Sequence, residues 1–283
     1  MRYLITGASG QLALEFVKRL PYNETFAFDH SKLDISNERS IRECIDYVKP
    51  DVIINCAAYN LVDKAEIDYE NAYKVNAVSL KYISDACQKY KTTIVHFSTD
   101  YVFGDTKDTP YNEYDEPRPL NKYGLSKLEG EKILSSNTQN YLIFRVSWVY
   151  GYGKQNFIYK LLRLVKEKKE IRISTDEVSV PVATTFIVEN VLKALSYELK
   201  GLWHLVPLGW SSRYDFAKKI LEFLNLDVEL KKAKQSDFSL YAKRPHFSAM
   251  DSSRIQKEFG LRFDIWERYL YDFLKLNPFK EIV

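Results

Sequence analysis

A tyrosine and a lysine four residues apart, Tyr123 and Lys127, are the residues of this sequence whose types and spacing most directly suggest chemistry. The stretch that follows, residues 128–134, reads as helical, so the two side chains stack on one face, one turn apart. Free tyrosine loses its proton only near pH ~10. A cation held beside the phenol stabilises the phenolate and lowers that value, making the residue a usable general acid or base. Alone the pair carries little, because a Tyr and a Lys at this spacing most often form an ordinary half-buried contact. Its meaning rests on whether neighbouring elements bring a cofactor and a substrate to it.

The elements before the pair alternate strand and helix. Tyr3 to Thr6 reads as a buried strand, followed by the turn Gly7-Ala8-Ser9-Gly10-Gln11-Leu12-Ala13 and a helical pattern over 14–20. Strand, glycine turn and helix together are the setting in which backbone N–H groups at a helix N-terminus cradle a pyrophosphate. Gly7 permits the turn, Gly10 permits close approach, and small Ala13 lets helix and strand pack. The spacing G-x-x-G-x-x-A departs from the commonest dinucleotide fingerprint, so a ligand-free βα turn remains the competing reading. A second strand, 25–28, ends at Asp29, about where an acidic residue meets an adenosine ribose. Ser36 is expected to cap a helix over 37–49. A third strand, 51–59, ends in small residues, and a long polar helix is expected from about Glu66 to Tyr90, with Asn76 buried to satisfy backbone groups. A fourth strand, 92–97, opens into Ser98-Thr99-Asp100, two hydroxyls and a carboxylate where ligands bind in open α/β sheets. Only the Pro-rich loop 108–120 separates this exit from Tyr123.

A fifth strand, 141–146, delivers Ser147 and Trp148. The alternation implies an α/β fold with a doubly wound parallel, Rossmann-type sheet. Residues 1–149 plus about 182–205 form the dinucleotide-binding domain in this reading. About 150–181 plus 206–283 form a smaller, mostly helical substrate-binding lobe, with helices over 155–169, 213–225 and 266–276 and a further helix over 184–199 beside a strand at 201–206. A formal charge of +3, with 41 basic residues interleaved with 38 acidic ones, gives no basic stripe and no reason to invoke nucleic acid. Three scattered cysteines, Cys44, Cys56 and Cys87, show no metal-ligand spacing and fit a reducing compartment, so a cytoplasmic location is expected. The N-terminus runs into a strand with no room for a signal peptide, and no run of about 18 apolar residues suggests a membrane span.

The order of the glycine turn, Thr99, the Tyr123/Lys127 pair and Trp148 resembles the extended short-chain dehydrogenase/reductase superfamily. Within it, longer strings are similar to the dTDP-4-dehydrorhamnose reductase family. These are Asn55-Cys-Ala-Ala-Tyr59 with Val62-Asp-Lys-Ala-Glu66, Ser98-Thr-Asp-Tyr-Val-Phe103, Arg145-Val-Ser-Trp-Val-Tyr-Gly151 with Asn156-Phe157, and Arg244-Pro245-x-x-Ser248. The resemblance implies NAD(P)H-dependent reduction of the C4 keto group of a nucleotide-linked 4-keto-6-deoxyhexose. Tyr123 would protonate the C4 oxygen, Thr99 would bond the developing oxyanion, and Lys127 would hold the nicotinamide ribose and lower the tyrosine pKa. Asp100 would grip a sugar hydroxyl. Trp148 would stack on the nucleotide base, against a competing reading as a core aromatic.

For the cofactor, NADPH or NADH, the resemblance implies Gly7, Gly10, Gln11, Leu12, Asp29, Asp34, Ile35, Ala58, Tyr59, Asn60 and Phe97, with Tyr123 and Lys127. Asp29 favours NADH by repelling a 2′-phosphate, and Lys32 works against that preference. Arg244 would meet the substrate diphosphate, with a surface role among neighbouring lysines as the alternative. Two departures stand out, Ala13 in the turn and Val178-Ser179 with Val182 at the substrate side. Partners are expected to be a nucleotide sugar, with neither nucleic acid nor membrane, and a homodimer is left open. Two other readings stay open. One is a cofactor-retaining epimerase or dehydratase, though dehydratases usually carry Asp-Glu where this chain has Asp100-Tyr101. The other is a non-catalytic dinucleotide-binding subunit resembling the regulatory subunit of methionine adenosyltransferase.

Overall fold

Six short apolar runs lie side by side in one sheet whose neighbouring strands are all parallel. They are β1 (Tyr3–Thr6), β2 (Thr25–Phe28), β3 (Val52–Asn55), β4 (Thr93–Thr99), β5 (Tyr141–Val146) and β6 (Gly201–His204). The spatial order is β6-β5-β4-β3-β1-β2. A parallel sheet needs crossover helices that cover both faces, which is why these strands are continuous apolar runs rather than alternating ones. Successive residues feed opposite faces. Ile5, Ile54, Val95 and Phe144 enter one apolar cluster, and Leu4, Ile53, Ile94 and Ile143 enter the other. This computed structural model describes residues 1–167, 170–276, 278 and 279.

The longer helices are α1 (Gln11–Arg19), α2 (Glu38–Val48), α3 (Ser79–Cys87), α4 (Lys122–Asn137), α5 (Phe157–Glu167), α6 (Thr184–Ser196), α7 (Arg213–Leu224) and α8 (Trp266–Lys275). The chain reverses direction across the sheet between β1 and β3, since β2 lies outside β1 on the other side. That switch point opens a crevice at the carboxyl ends of the strands, where ligands bind in such sheets.

Some expectations change. The helix expected over 66–90 is broken into Tyr69–Tyr73, a π-helical turn Lys74–Val78 and α3, ending in a 3-10 turn Gln88–Tyr90. The wide turn carries Asn76, whose amide accepts the Tyr59 N–H at 2.9 Å and donates to the Tyr59 carbonyl at 2.9 Å. π-bulges of this kind recur at functional sites. The cap of α2 is Asn37, which accepts the Ser40 N–H, whereas Ser36 donates to Asp34 at 2.8 Å. Helix α5 begins at 157, and the expected extension to 168 and 169 lies outside the described residues.

The segments after β5 are less helical than expected. Glu170–Ser174 pairs in parallel with Glu229–Ala233, Val149–Tyr150 in parallel with Val182–Ala183, and Val178–Ser179 antiparallel with Ser211–Ser212. The two-residue strands are too short to show a period in sequence, whereas Glu170-Ile-Arg-Ile-Ser174 alternates polar and apolar residues, a strand signal that the helical reading overlooked. The first apolar cluster runs on from the sheet into Leu161, Phe216 and Phe273 of α5, α7 and α8. Among the described residues no helix is long and apolar enough to cross a membrane.

Candidate active site

The glycine turn is shaped by the strand beside it. Gly7 has φ +66°, and a Cβ there would lie 2.8 Å from backbone atoms of Ala57 at the exit of β3. Only glycine meets both demands. Gly10 is the N-cap of α1 and supplies no side-chain cap, so the helix N-terminus keeps its backbone N–H groups for an anion. Gln11 ties this terminus to the far side of the crevice. Its amide donates to the Val149 carbonyl at 2.9 Å and accepts from Asn156 at 3.1 Å. Asp29 stands half-buried at the end of β2. Its Oδ1 accepts from Ser31 and Lys32, and those bonds hold its carboxyl below the usual range, Ser31 foremost.

Asp34 is turned to the Ser36 N–H and hydroxyl, and Ile35 is buried in the second apolar cluster with Leu33. Leu12 is half-buried against the first cluster. Ala58 and Asn60 are exposed beside half-buried Tyr59, whose hydroxyl donates to Asp68 at 3.0 Å. The Phe97 ring packs between Phe16 and Phe144, so its carbonyl rather than its ring faces the site. Turn, Asp29, residues 58–60 and Thr99 therefore share one edge of the sheet, at the carboxyl ends of β1 to β4.

Helix α4 brings Tyr123 to this edge. Asn121 caps it, accepting the Gly124 N–H at 2.8 Å and donating to the Lys243 carbonyl at 2.9 Å. Gly124 lets the helix touch the exit of β4, because a Cβ there would lie 2.1 Å from the Tyr101 carbonyl oxygen. The result sets the Tyr123 phenol beside the Thr99 hydroxyl, close enough for Thr99 to act on its pKa, with Tyr101 edge-on to Tyr123 at 6.1 Å between centroids. Gly124→Ala is accordingly expected to push the head of α4 away from Thr99. Displacements near 1 Å cost about 100-fold in rate, so turnover should drop by that order; an unchanged kcat would show that the contact relaxes freely.

The structure alters the expected relation between Tyr123 and Lys127. Burial pushes the phenol up to about 12, opposed by the Thr99 hydroxyl, and Lys127 is not among the groups that act on it. The lysine stem instead descends between helix and sheet. Its Nζ donates to the Phe97 carbonyl at 2.6 Å and lies 3.1 Å from His96 Nε2. Buried acceptors on β4 would otherwise go unpaired, which costs more than a contact with a phenol returns. Burial also pulls Lys127 down to about 8, against Glu131 one turn further along α4. The expected lowering of the tyrosine pKa is therefore absent, and Tyr123 holds its proton through neutral pH.

Three of the expected substrate contacts are also revised. Asp100 is buried, its Oδ2 accepting from Ser179 at 2.7 Å and Ser248 at 2.6 Å and its Oδ1 from Thr99 at 3.2 Å. Its carboxylate clasps two distant chain segments at the strand exit rather than facing a sugar. Burial pushes it up to about 6, against those three hydrogen bonds. Arg244 gives both terminal nitrogens to Asp63, at 2.6 and 3.1 Å, so its fork is committed to a carboxylate of this chain. Trp148 carries the Arg213 guanidinium 3.5 Å from its ring centroid and packs on Phe216, which favours the core-aromatic reading over base stacking. Its φ of +36° is unusual for a bulky residue.

Reading the sequence assigned no role to Ser179 and Ser248, quoted only within longer strings, nor to Arg213, Glu177 and Glu131. Arg213 pairs with Glu177 at 3.1 Å, and Glu177 accepts from the Tyr101 hydroxyl at 3.1 Å. Nothing local marks these four positions outside α4, since their partners lie tens of residues away. Glu131 alone had a signal, the 123-127-131 spacing along one helical stripe.

A parallel sheet with a dinucleotide-type turn, and a Thr-Tyr-Lys set at its carboxyl edge, defines an oxidoreductase of the short-chain dehydrogenase/reductase type. Over residues 1–277 the chain matches the family described as RmlD substrate binding domain. It belongs to the dTDP-4-dehydrorhamnose reductase family. The enzyme of that name from Aggregatibacter actinomycetemcomitans is 36% identical, over 95% of this chain and 97% of its own. The crystal structure of a dTDP-4-dehydrorhamnose reductase from Clostridium acetobutylicum superposes with a TM-score of 0.94 at 35% identity, covering 98% of this chain and 99% of that one. The Bacillus anthracis reductase, solved in complex with NADP, also superposes at 0.94, with 33% identity over 97% of this chain and 99% of that one.

Proposed function

We propose that this chain reduces the C4 keto group of a nucleotide-linked 4-keto-6-deoxyhexose of the dTDP-4-dehydrorhamnose type, with NADPH or NADH as reductant and Tyr123 as proton donor. The observation that carries the reading is the buried Tyr123 phenol set beside Thr99 at the carboxyl end of β4, near a glycine turn whose Gly7 no larger residue can replace. The turn fits a dinucleotide. Gly7, Gly10, Gln11 and Asp29 would hold it, with the backbone of residues 58–60 alongside. When bound, the nicotinamide supplies hydride.

The chain's own residues do the rest. Thr99, by turning its hydroxyl away from Asp100, and Tyr123 would present two hydroxyls to one carbonyl oxygen, and the phenol gives its proton as negative charge develops there. A phenol held near pKa 12 stays protonated until that moment. Lys127, in its cationic form, would hold the nicotinamide ribose with the N–H that it does not give to Phe97 and His96. In this reading residues 1–149 with about 182–205 hold the dinucleotide, and about 150–181 with 206–283 hold the sugar nucleotide. Asp29 favours NADH and Lys32 admits NADPH, and the NADP-bound relative supports testing both. Supplying dTDP-4-keto-6-deoxy-L-lyxo-hexulose with each nicotinamide is expected to consume the reduced form stoichiometrically and yield dTDP-L-rhamnose. Intact cofactor binding without any turnover would sink the reading.

A further inference from the structure

A line of buried polar side chains crosses the sheet beneath the site. Thr6 of β1, Asn55 of β3 and His96 of β4 are successive cross-strand partners, all buried. The Asn55 amide bridges the other two, one end 2.6 Å from Thr6 Oγ1 and the other 3.1 Å from His96 Nδ1. His96 Nε2 completes the line at 3.1 Å from Lys127 Nζ. Thr6 immediately precedes Gly7, so the line joins the cofactor turn to the lysine.

We propose that His96 is a positioning residue that holds Lys127 as a correctly aimed ammonium, its tautomer set by Asn55 and Thr6. An ammonium has three donors and no acceptor. Two of its N–H groups go to the Phe97 carbonyl and to His96 Nε2, and the third is left for a bound group. For Nε2 to accept, the single proton of the neutral ring must sit on Nδ1, and Asn55 must meet it with its oxygen. The Asn55 amide is then turned end for end from the orientation in which Nδ2 faces Nδ1, a change that leaves its shape unaltered. Its NH2 group donates to Thr6 Oγ1, which also receives the Ala57 N–H at 3.3 Å. The Nδ1–H, the Asn55 NH2 facing Thr6 and the Lys127 N–H facing His96 then each meet an acceptor, while the Thr6 hydroxyl gives up its bond to Asn55; the opposite tautomer would set an N–H against an ammonium. Burial and the charge of Lys127 both hold His96 neutral. The charged group that acts on Lys127 is Glu131 on its own helix, itself paired with Arg145 of β5, and it cannot replace an acceptor on β4.

The catalytic consequence rests on the reading of Lys127 given above, and two measurements keep the network and that reading apart. The first is 15N NMR of the imidazoles in the ligand-free chain at pH 7, with the His96 signal identified by its loss in His96→Gln. Nδ1–H is expected, and an Nε2–H ring overturns the proposal. The second is the pH profile of turnover. Hydrogen bonds to a charged form stabilise it, so His96→Leu is expected to move the alkaline midpoint of kcat, set by Lys127 near pH 8, down by about one unit. His96→Gln keeps a carbonyl acceptor and should restore it. A uniform loss of rate with an unmoved midpoint in His96→Leu overturns the proposal, because packing alone would produce that. The expected tautomer in a chain without turnover preserves the network and removes the reductase reading.

Discussion

Replacing Tyr123 by phenylalanine is expected to lower kcat by about three orders of magnitude while leaving nicotinamide binding largely intact. General acid catalysis by a positioned side chain contributes roughly 100- to 10,000-fold, and the upper half of that range applies here for two reasons. The reduction creates an alkoxide, the strongest base in the site, and the phenol held at about 12 is still a stronger acid than the alcohol it forms. The Thr99 hydroxyl can stabilise charge on that oxygen, but its own proton is too weakly acidic to be given up. The residual rate of the variant measures what Thr99 and orientation supply. The wild-type alkaline limb should follow Lys127 rather than Tyr123. A lysine pulled down to about 8 loses its charge as pH rises through that value, and rate falls with it. Steady-state kinetics with cofactor titration by nicotinamide fluorescence checks both statements, and wild-type kcat in Tyr123→Phe would falsify the proposed donor.

The second large effect concerns stability. Glu131 of α4 and Arg145 of β5 form a two-pronged pair at 2.6 and 2.9 Å, with side chains only 5% and 4% exposed. Breaking such a pair from one side leaves a buried charge with no counter-ion, at a cost of about 3–5 kcal/mol. Glu131→Ala is therefore expected to lower unfolding free energy by that amount in denaturant titration. Replacing both partners at once, Glu131→Leu with Arg145→Met, should recover most of the loss, because no charge is then stranded. Less than about 1 kcal/mol lost in the single variant would mean water reaches Arg145. The change also reaches the site. Glu131 is the group that favours the cationic form of Lys127, so its removal should shift the alkaline limb further down.

These outcomes divide along the line between local and distant interactions. The βα turn, the helical spacing of Tyr123 and Lys127 and the polar exit at Thr99 are consequences of neighbouring residues. Backbone stereochemistry at Gly7 and side-chain periodicity therefore determine them wherever the chain folds. The parallel sheet follows in the same way from apolar runs alternating with amphipathic segments. What the tertiary structure alone decided is which partner each polar group meets. Asp100 meets Ser179 and Ser248, Arg244 meets Asp63, and Lys127 meets Phe97 and His96, across separations from 30 to 181 residues. A carboxylate or guanidinium reads the same in sequence whether it faces a ligand or its own chain. Burial raises the cost of leaving such a group unpaired, and three-dimensional packing determines which acceptor comes within reach.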